Sequence, residues 1–234
     1  MPLVDDQKKF YGELYAQHGD DPRSLSWRDQ QTQNERFARL AKLLERDAGK
    51  CSVHEIGCGL GHFGEYLRDH HAAAAYSGSD ICTEFVESSR KRLPECDFFE
   101  RDITDQLPAE RYDYLTLSGT FNPRLKTPTD QWQQFIHRML KAMYNLCTKG
   151  IAVNFLTSFA DAQFMQDYLH YQSEADIIDY TVRHLSRHYE LDQAGPLFEF
   201  TLRVYRPQYV RSLYSDASYD KYFRNVSAGA EVSS

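Results

Sequence analysis

Residues 53–64 read Val-His-Glu-Ile-Gly-Cys-Gly-Leu-Gly-His-Phe-Gly, and this stretch decides the fold. Val53 and Ile56 bracket a short strand with Glu55 inside it, and Gly57, Gly59 and Gly61 follow at alternate positions. Phe63-Gly64-Glu65-Tyr66-Leu67-Arg68 then reads as the opening of a helix. A strand, a glycine-rich turn and a helix in that order build the nucleotide-binding corner of an α/β fold. The glycines let the backbone turn sharply and approach a ligand with no Cβ in between. The helix N-terminus offers unpaired N–H groups. Glu55 adds an acceptor suited to a ligand that carries an amine or hydroxyls.

Two fingerprints overlap here. Gly59-Leu60-Gly61-His62-Phe63-Gly64 fits the dinucleotide pattern G-x-G-x-x-G, and Glu55 through Gly61 fits acidic-x-G-x-G-x-G. The carboxylate separates them, because an acid beside the turn repels a pyrophosphate and suits a cationic, amino-acid-bearing ligand. On these residues the chain resembles the class I S-adenosylmethionine-dependent methyltransferases, over roughly residues 50–206. A nicotinamide oxidoreductase using Gly59–Gly64 and Asp80, or a non-catalytic cofactor-binding partner protein, stays open as an alternative.

Working outward, helical spacing predicts helices over 5–18 and 29–47, an N-terminal extension of residues 1–48. Strands at 52–56, 74–79, 97–100, 112–117 and 151–156 alternate with helices at 61–70, 83–92 and 129–147, with Thr148-Lys149-Gly150 as a cap on the last. A helix near 173–186 and two strands closing with Leu197–Tyr205 follow. The reading is an α/β fold: a doubly wound, mostly parallel seven-stranded sheet with an antiparallel C-terminal strand pair, plus the helical extension. Residues 49–206 make the core, and 207–234 a partly disordered tail.

The resemblance implies roles by position. Glu55, Gly57, Cys58, Gly59 and Gly61 would cradle S-adenosylmethionine, with S-adenosylhomocysteine as product. Asp80, with Ile81 beside it, would hold the ribose hydroxyls, since a carboxylate accepts two hydrogen bonds from a diol. Asp102 would accept the adenine amino hydrogen, and Ile103 would pack on the ring. Ser118 and Gly119 would lie under the methionine moiety. Phe121, Asn122, Arg124 and Asn154 fall at the carboxyl ends of strands, where ligands of open α/β sheets bind. Tyr11 and Trp27 would form the opposite wall of a substrate site. His18 and His137 are candidate general bases for a hydroxyl nucleophile. The runs at 154–158 and 197–201 look like small bacterial methyltransferases of surface-polysaccharide or natural-product pathways.

Composition narrows the partners. The 234 residues carry a net charge of −7, which argues against a phosphate backbone as the main partner. Thr120-Phe121-Asn122-Pro123 departs from the Asn/Asp-Pro-Pro-aromatic loop of DNA amino-methyltransferases, and no Pro-Cys nucleophile is present. The expected acceptor is therefore a small polar molecule methylated at O or N, handled by a monomer or homodimer. Five cysteines without a C-x-x-C pair fit a reducing compartment, and a cytoplasmic protein is expected. No signal-like start or membrane-length apolar run is read. His184/His188 and His70-His71 lack a ligand-like carboxylate, so no metal is expected.

Overall fold

The computed structural model describes residues 2–26, 29–47 and 49–223. Its centre is a sheet of β1 (Cys51–Ile56), β2 (Ala74–Asp80), β3 (Asp97–Glu100), β4 (Tyr112–Leu117) and β5 (Cys147–Thr157), all parallel. β7 (Tyr189–Asp192) and β8 (Glu199–Tyr205) close it antiparallel, in the order β3-β2-β1-β4-β5-β8-β7. The order reverses between β1 and β4, so the carboxyl ends of those strands open a crevice. β1, β4 and β5 are largely buried on both faces, and Val53, Ile56, Leu115, Leu117, Ile151 and Val153 are their apolar core residues. A short strand not foreseen from sequence, β6 (Tyr171–Gln172), pairs with β5 beyond Val153, the last residue β4 reaches.

One face is packed by α5 (Thr129–Leu146), whose Trp132, Phe135, Ile136, Met139, Leu140 and Met143 recur at helical spacing. The other face is packed by α2 (Gln30–Ala41) and α3 (His62–His70), through Phe37, Leu40, Phe63 and Leu67 against Val53, Tyr114 and Ala152. α4 (Thr83–Arg92) follows β2, and α6 (Glu174–His184) follows β6. α1 (Pro2–His18) and a 3₁₀ turn, Pro22–Leu25, precede α2. Tyr11 and Tyr15 of α1 meet Phe85 of α4 edge-on, at 6.0 and 5.6 Å between ring centroids.

Two local expectations change. α5 needs no Thr148-Lys149-Gly150 cap, because the chain turns extended at Cys147 and those residues lie in β5. Its last carbonyls are met from a distance: Arg206 donates to Tyr144 O at 2.6 Å and Cys147 O at 3.1 Å. α2 stops at Ala41 and tightens into a 3₁₀ turn, Lys42–Leu44. Between β3 and β4 no helix forms, so the sheet face there carries polar side chains. His54 on that face bonds Ser77 and Ser79 and stacks on Tyr112 at 4.2 Å. Burial holds its pKa down at about 3, so it is neutral. At the C-terminal end, α7 (Pro207–Ser212) packs Tyr209 and Val210 into the core, and 224–234 lie outside the described residues.

Candidate active site

The glycine turn is pinned before any ligand arrives. Gly57 N–H and Cys58 N–H both donate to Ser79 O, at 2.8 and 3.0 Å, and Ser89 Oγ donates to Gly59 O at 2.7 Å. Gly57 and Gly59 adopt φ of 68° and 52°, the left-handed region that other residues avoid. A Cβ at Gly57 would collide with Thr120 Oγ1, and one at Gly59 would stand 2.7 Å from Leu25 Cδ2.

Asp80 ends β2 beneath the turn. Its Oδ2 accepts from Gly59 N–H and its Oδ1 from Cys82 N–H, each at 2.9 Å. Each oxygen keeps a further lone pair for a ligand. Burial raises the Asp80 pKa, while the Cys82 and Gly59 N–H groups draw it back. Glu55 is 3% exposed and accepts from the Tyr76 hydroxyl. Burial pushes its carboxyl up to about 8. Asp102 Oδ1 accepts from Thr104 N–H and Oγ1, at 2.8 Å each, which turns the loop after β3. Ser118 Oγ is buried without a partner among the described residues.

These groups line one cavity of about 270 Å³. Leu3, Val4, Gln7 and Tyr11 of α1 roof it, with Leu25 and Ser26 beyond. Trp132, Phe135, Met139 and Leu156 form an apolar wall at the other end. Gln7 fastens the roof by donating to Pro123 O at 2.7 Å, and Lys8 pairs with Glu100 at 3.0 Å.

Of the residues singled out from sequence, Tyr11, Glu55, Gly57, Cys58, Gly59, Asp80, Ile81, Asp102, Ile103, Ser118, Gly119 and Asn122 line this cavity. Gly61 stands at the start of α3 with φ of 78°, behind the lining. Phe121, Arg124, Asn154, His18 and His137 do not line it. Phe121 is core, stacked on Phe155 at 5.3 Å. Arg124 donates to Thr127 O in its own loop and to Asp167 O in the segment before β6. Asn154 lies one layer below, accepting from Gly119 N–H at 2.8 Å and donating to Glu199 at 3.1 Å. His18 ends α1. His137 stacks on Tyr180 at 3.7 Å, on the α5 face turned from Phe135 and Met139. Two positions along a helix do not share a face. Trp27 lies outside the described residues.

Sequence reasoning missed Gln33, Arg36, His62 and Glu199, all on the cavity wall. The Arg36 guanidinium clasps the Glu199 carboxylate, with Nε 2.7 Å from Oε2. Two signals were available: Gln33 stands one turn ahead of Phe37 on the face that Leu40 and Ala41 continue, and Glu199 puts a charge in a strand buried throughout. His62 Nδ1 lies 3.3 Å from Gln33 Nε2, and burial lowers its pKa. Among the described residues no cluster of His, Cys, Asp and Glu is placed to hold a metal, and no helix is long and apolar enough to cross a membrane.

A glycine turn facing carboxylates at three strand ends, under a helical roof, defines a nucleoside-binding α/β enzyme. Residues 53–145 match the methyltransferase domain family. A Mycobacterium tuberculosis protein with a provisional methyltransferase name, Rv1506c, is 32% identical over 157 residues, spanning 65% of this chain and 92% of that one. The N-methyltransferase NodS of Bradyrhizobium japonicum, solved with S-adenosylhomocysteine, superposes with a TM-score of 0.60 at 15% identity, over 84% of this chain and 97% of that one. The magnesium protoporphyrin IX methyltransferase of Synechocystis, solved with S-adenosylmethionine, gives 0.54 at 20% identity, over 76% and 79%. The structural likenesses speak for the fold, and the sequence matches carry the family. The chain belongs to the class I S-adenosylmethionine-dependent methyltransferases, with S-adenosylmethionine as methyl donor. The oxidoreductase and non-catalytic readings fall away with that membership.

Proposed function

We propose that the chain methylates an oxygen or nitrogen of a small molecule inside the roofed cavity. The observation that carries this reading is the enclosure: the roof of α1 is fastened to the loop after β4, over the glycine turn. A nucleic acid or protein surface would have to displace that helix, and the net charge of −7 offers little to a phosphate backbone. The cysteines are free, which supports a reducing compartment and a cytoplasmic enzyme.

The donor set suits the cofactor. Turn glycines with no room for a Cβ, an unpartnered Ser118 hydroxyl and carboxylates at 55, 80 and 102 match an amino-acid nucleoside. In this reading Glu55 faces the methionine amine, Asp80 the ribose hydroxyls and Asp102 the adenine amino group. Ile81 and Ile103 pack against the adenosine, and Ser118 and Gly119 lie under the methionine. The bound cofactor supplies a methyl group activated by a sulfonium. The chain's own residues orient the acceptor and exclude water, and orientation alone is worth roughly 7–11 kcal/mol in well-ordered systems.

Calorimetry with S-adenosylhomocysteine, NADH and NADPH tests the cofactor, with binding expected for the first alone. Labelled methyl should then reach the low-molecular-mass fraction of a cell extract. Label confined to RNA or protein would overturn the small-molecule reading.

A further inference from the structure

The three phenylalanines that stand exposed among the described residues fall on one rim. Phe159, Phe164 and Phe198 are 76%, 56% and 42% exposed. Tyr168, at 44%, joins them and also lines the cavity. Three chain segments bring them there. Leu156, Leu169 and Glu199 lie on the cavity wall, and each has one of the phenylalanines within five residues of it. The segments are neighbours because Leu156 of β5 pairs with Tyr171 of β6 and with Glu199 of β8. Phe164 and Phe198 meet at 5.6 Å between ring centroids.

The exposure is built in, because the loop that carries it is braced. Ser158 N–H donates to Gln172 O at 3.0 Å, and Leu125 N–H donates to Tyr168 O at 2.9 Å. Gln166 N–H donates to the Tyr171 hydroxyl at 2.9 Å, and Ser158 Oγ donates to Glu174 Oε2 at 3.1 Å. Large apolar side chains held in water forgo the gain of burial. Clustered on one rim, they mark a binding face.

What the rim adjoins names its occupant. Inside, Trp132, Phe135, Met139 and Leu156 give the cavity an apolar wall, and Tyr168 carries that surface outward. A wholly polar acceptor would leave both unfilled. Residues 158–169 hold Asp161 and Asp167 and no Lys or Arg, which disfavours an anionic membrane surface. We propose that the methyl acceptor is an amphiphile. Its reactive oxygen or nitrogen enters the cavity, and its apolar chain runs out past Tyr168 over Phe164 and Phe198. This rests on the small-molecule methyltransferase reading above and narrows it.

Straight-chain alcohols from butanol to decanol serve as probes, titrated into the full chain saturated with S-adenosylhomocysteine. Each added methylene that meets apolar surface should tighten binding about fourfold. In the native chain that gain is expected to continue to the longest alcohols. With Phe159→Ser, Phe164→Ser and Phe198→Ser combined, it should stop at an intermediate length, where the alcohol leaves the cavity. All three side chains are exposed, so the melting temperature and S-adenosylhomocysteine affinity should change little. A gain that stops at the same length in both proteins overturns the proposal. A native dimer that the triple variant splits in sedimentation overturns it too, since the rim is then an interface between copies.

Methyl transfer supplies the second arm. The full chain is incubated with a cell extract and S-adenosylmethionine carrying a labelled methyl, and the products are partitioned between water and chloroform–methanol. Labelled small molecules are expected in the organic phase. Labelled small molecules in water alone overturn the proposal and leave the function standing, whereas label in no small molecule overturns both.

Discussion

Leu25 rests on Gly59: a Cβ at position 59 would stand 2.7 Å from the Leu25 Cδ2. The N-terminal segment is thereby packed on the glycine turn. Gly59→Val is expected to abolish S-adenosylhomocysteine binding while leaving the fold largely intact. The branched side chain meets Leu25 and forces a residue into the left-handed region, where a non-glycine costs about 1–2 kcal/mol. Calorimetry beside far-ultraviolet circular dichroism reads both outcomes, and normal binding would remove the turn from the cofactor site.

Glu55 ties stability to pH. Its carboxyl, ordinarily near 4.5, is pushed up to about 8 mainly by burial, with Asp80 adding and the Tyr76 hydrogen bond opposing. Between those values the unfolded chain has lost a proton that the native chain keeps, so stability falls as pH rises through the window. Glu55→Gln should raise the melting temperature most at and above pH 8, and not at all below about 4.5. If Glu55 faces the amine as proposed, the same variant should bind S-adenosylhomocysteine more weakly, having lost the carboxyl that the cationic amine would draw into its ionised form. A thermal melt at each pH and one titration suffice. An unchanged melting temperature at pH 8 would show that native Glu55 is already ionised.

Asp80 braces the Gly59 and Cys82 N–H groups, and in the proposed reading it also offers acceptors to the ribose. Asp80→Ala should weaken S-adenosylhomocysteine binding by at least about 1.5–3 kcal/mol, the scale of hydrogen bonds to a charged group. The 2′-deoxy analogue separates the two roles. It should lose less than the natural ligand, since one hydroxyl is missing already. Equal losses would leave Asp80 as a brace only.

Arg36 and Glu199 form a buried pair, at 14% and 7% side-chain exposure. Removing one charge leaves the other stranded, which is worth about 3–5 kcal/mol. Arg36→Met should therefore destabilise strongly in urea titrations. Glu199→Leu in the same chain should recover much of that loss, because a paired apolar replacement strands no charge. A double variant as unstable as the single one would show that the pair is not coupled.

The core strands and α3 to α5 were legible because each follows local rules. Apolar runs mark doubly buried strands, and Trp132 through Met143 mark one helical face. The glycine turn and the acids at 55, 80 and 102 were legible because they sit next to strand ends in the chain itself. His137 misled because helical phase, not sequence proximity, decides which side chains reach a cavity. Thr148-Lys149-Gly150 misled because Arg206 does the capping from the far end of β8.

Neighbours along the chain are enough to set the α/β order, the corner and the carboxylates. What surrounds them came from the packing of distant segments. Leu25 over Gly59, Gln7 on Pro123 and Arg36 on Glu199 join segments distant in sequence. Such contacts depend on the angle at which α1 and α2 cross the strand ends, and packing of the whole core sets that angle.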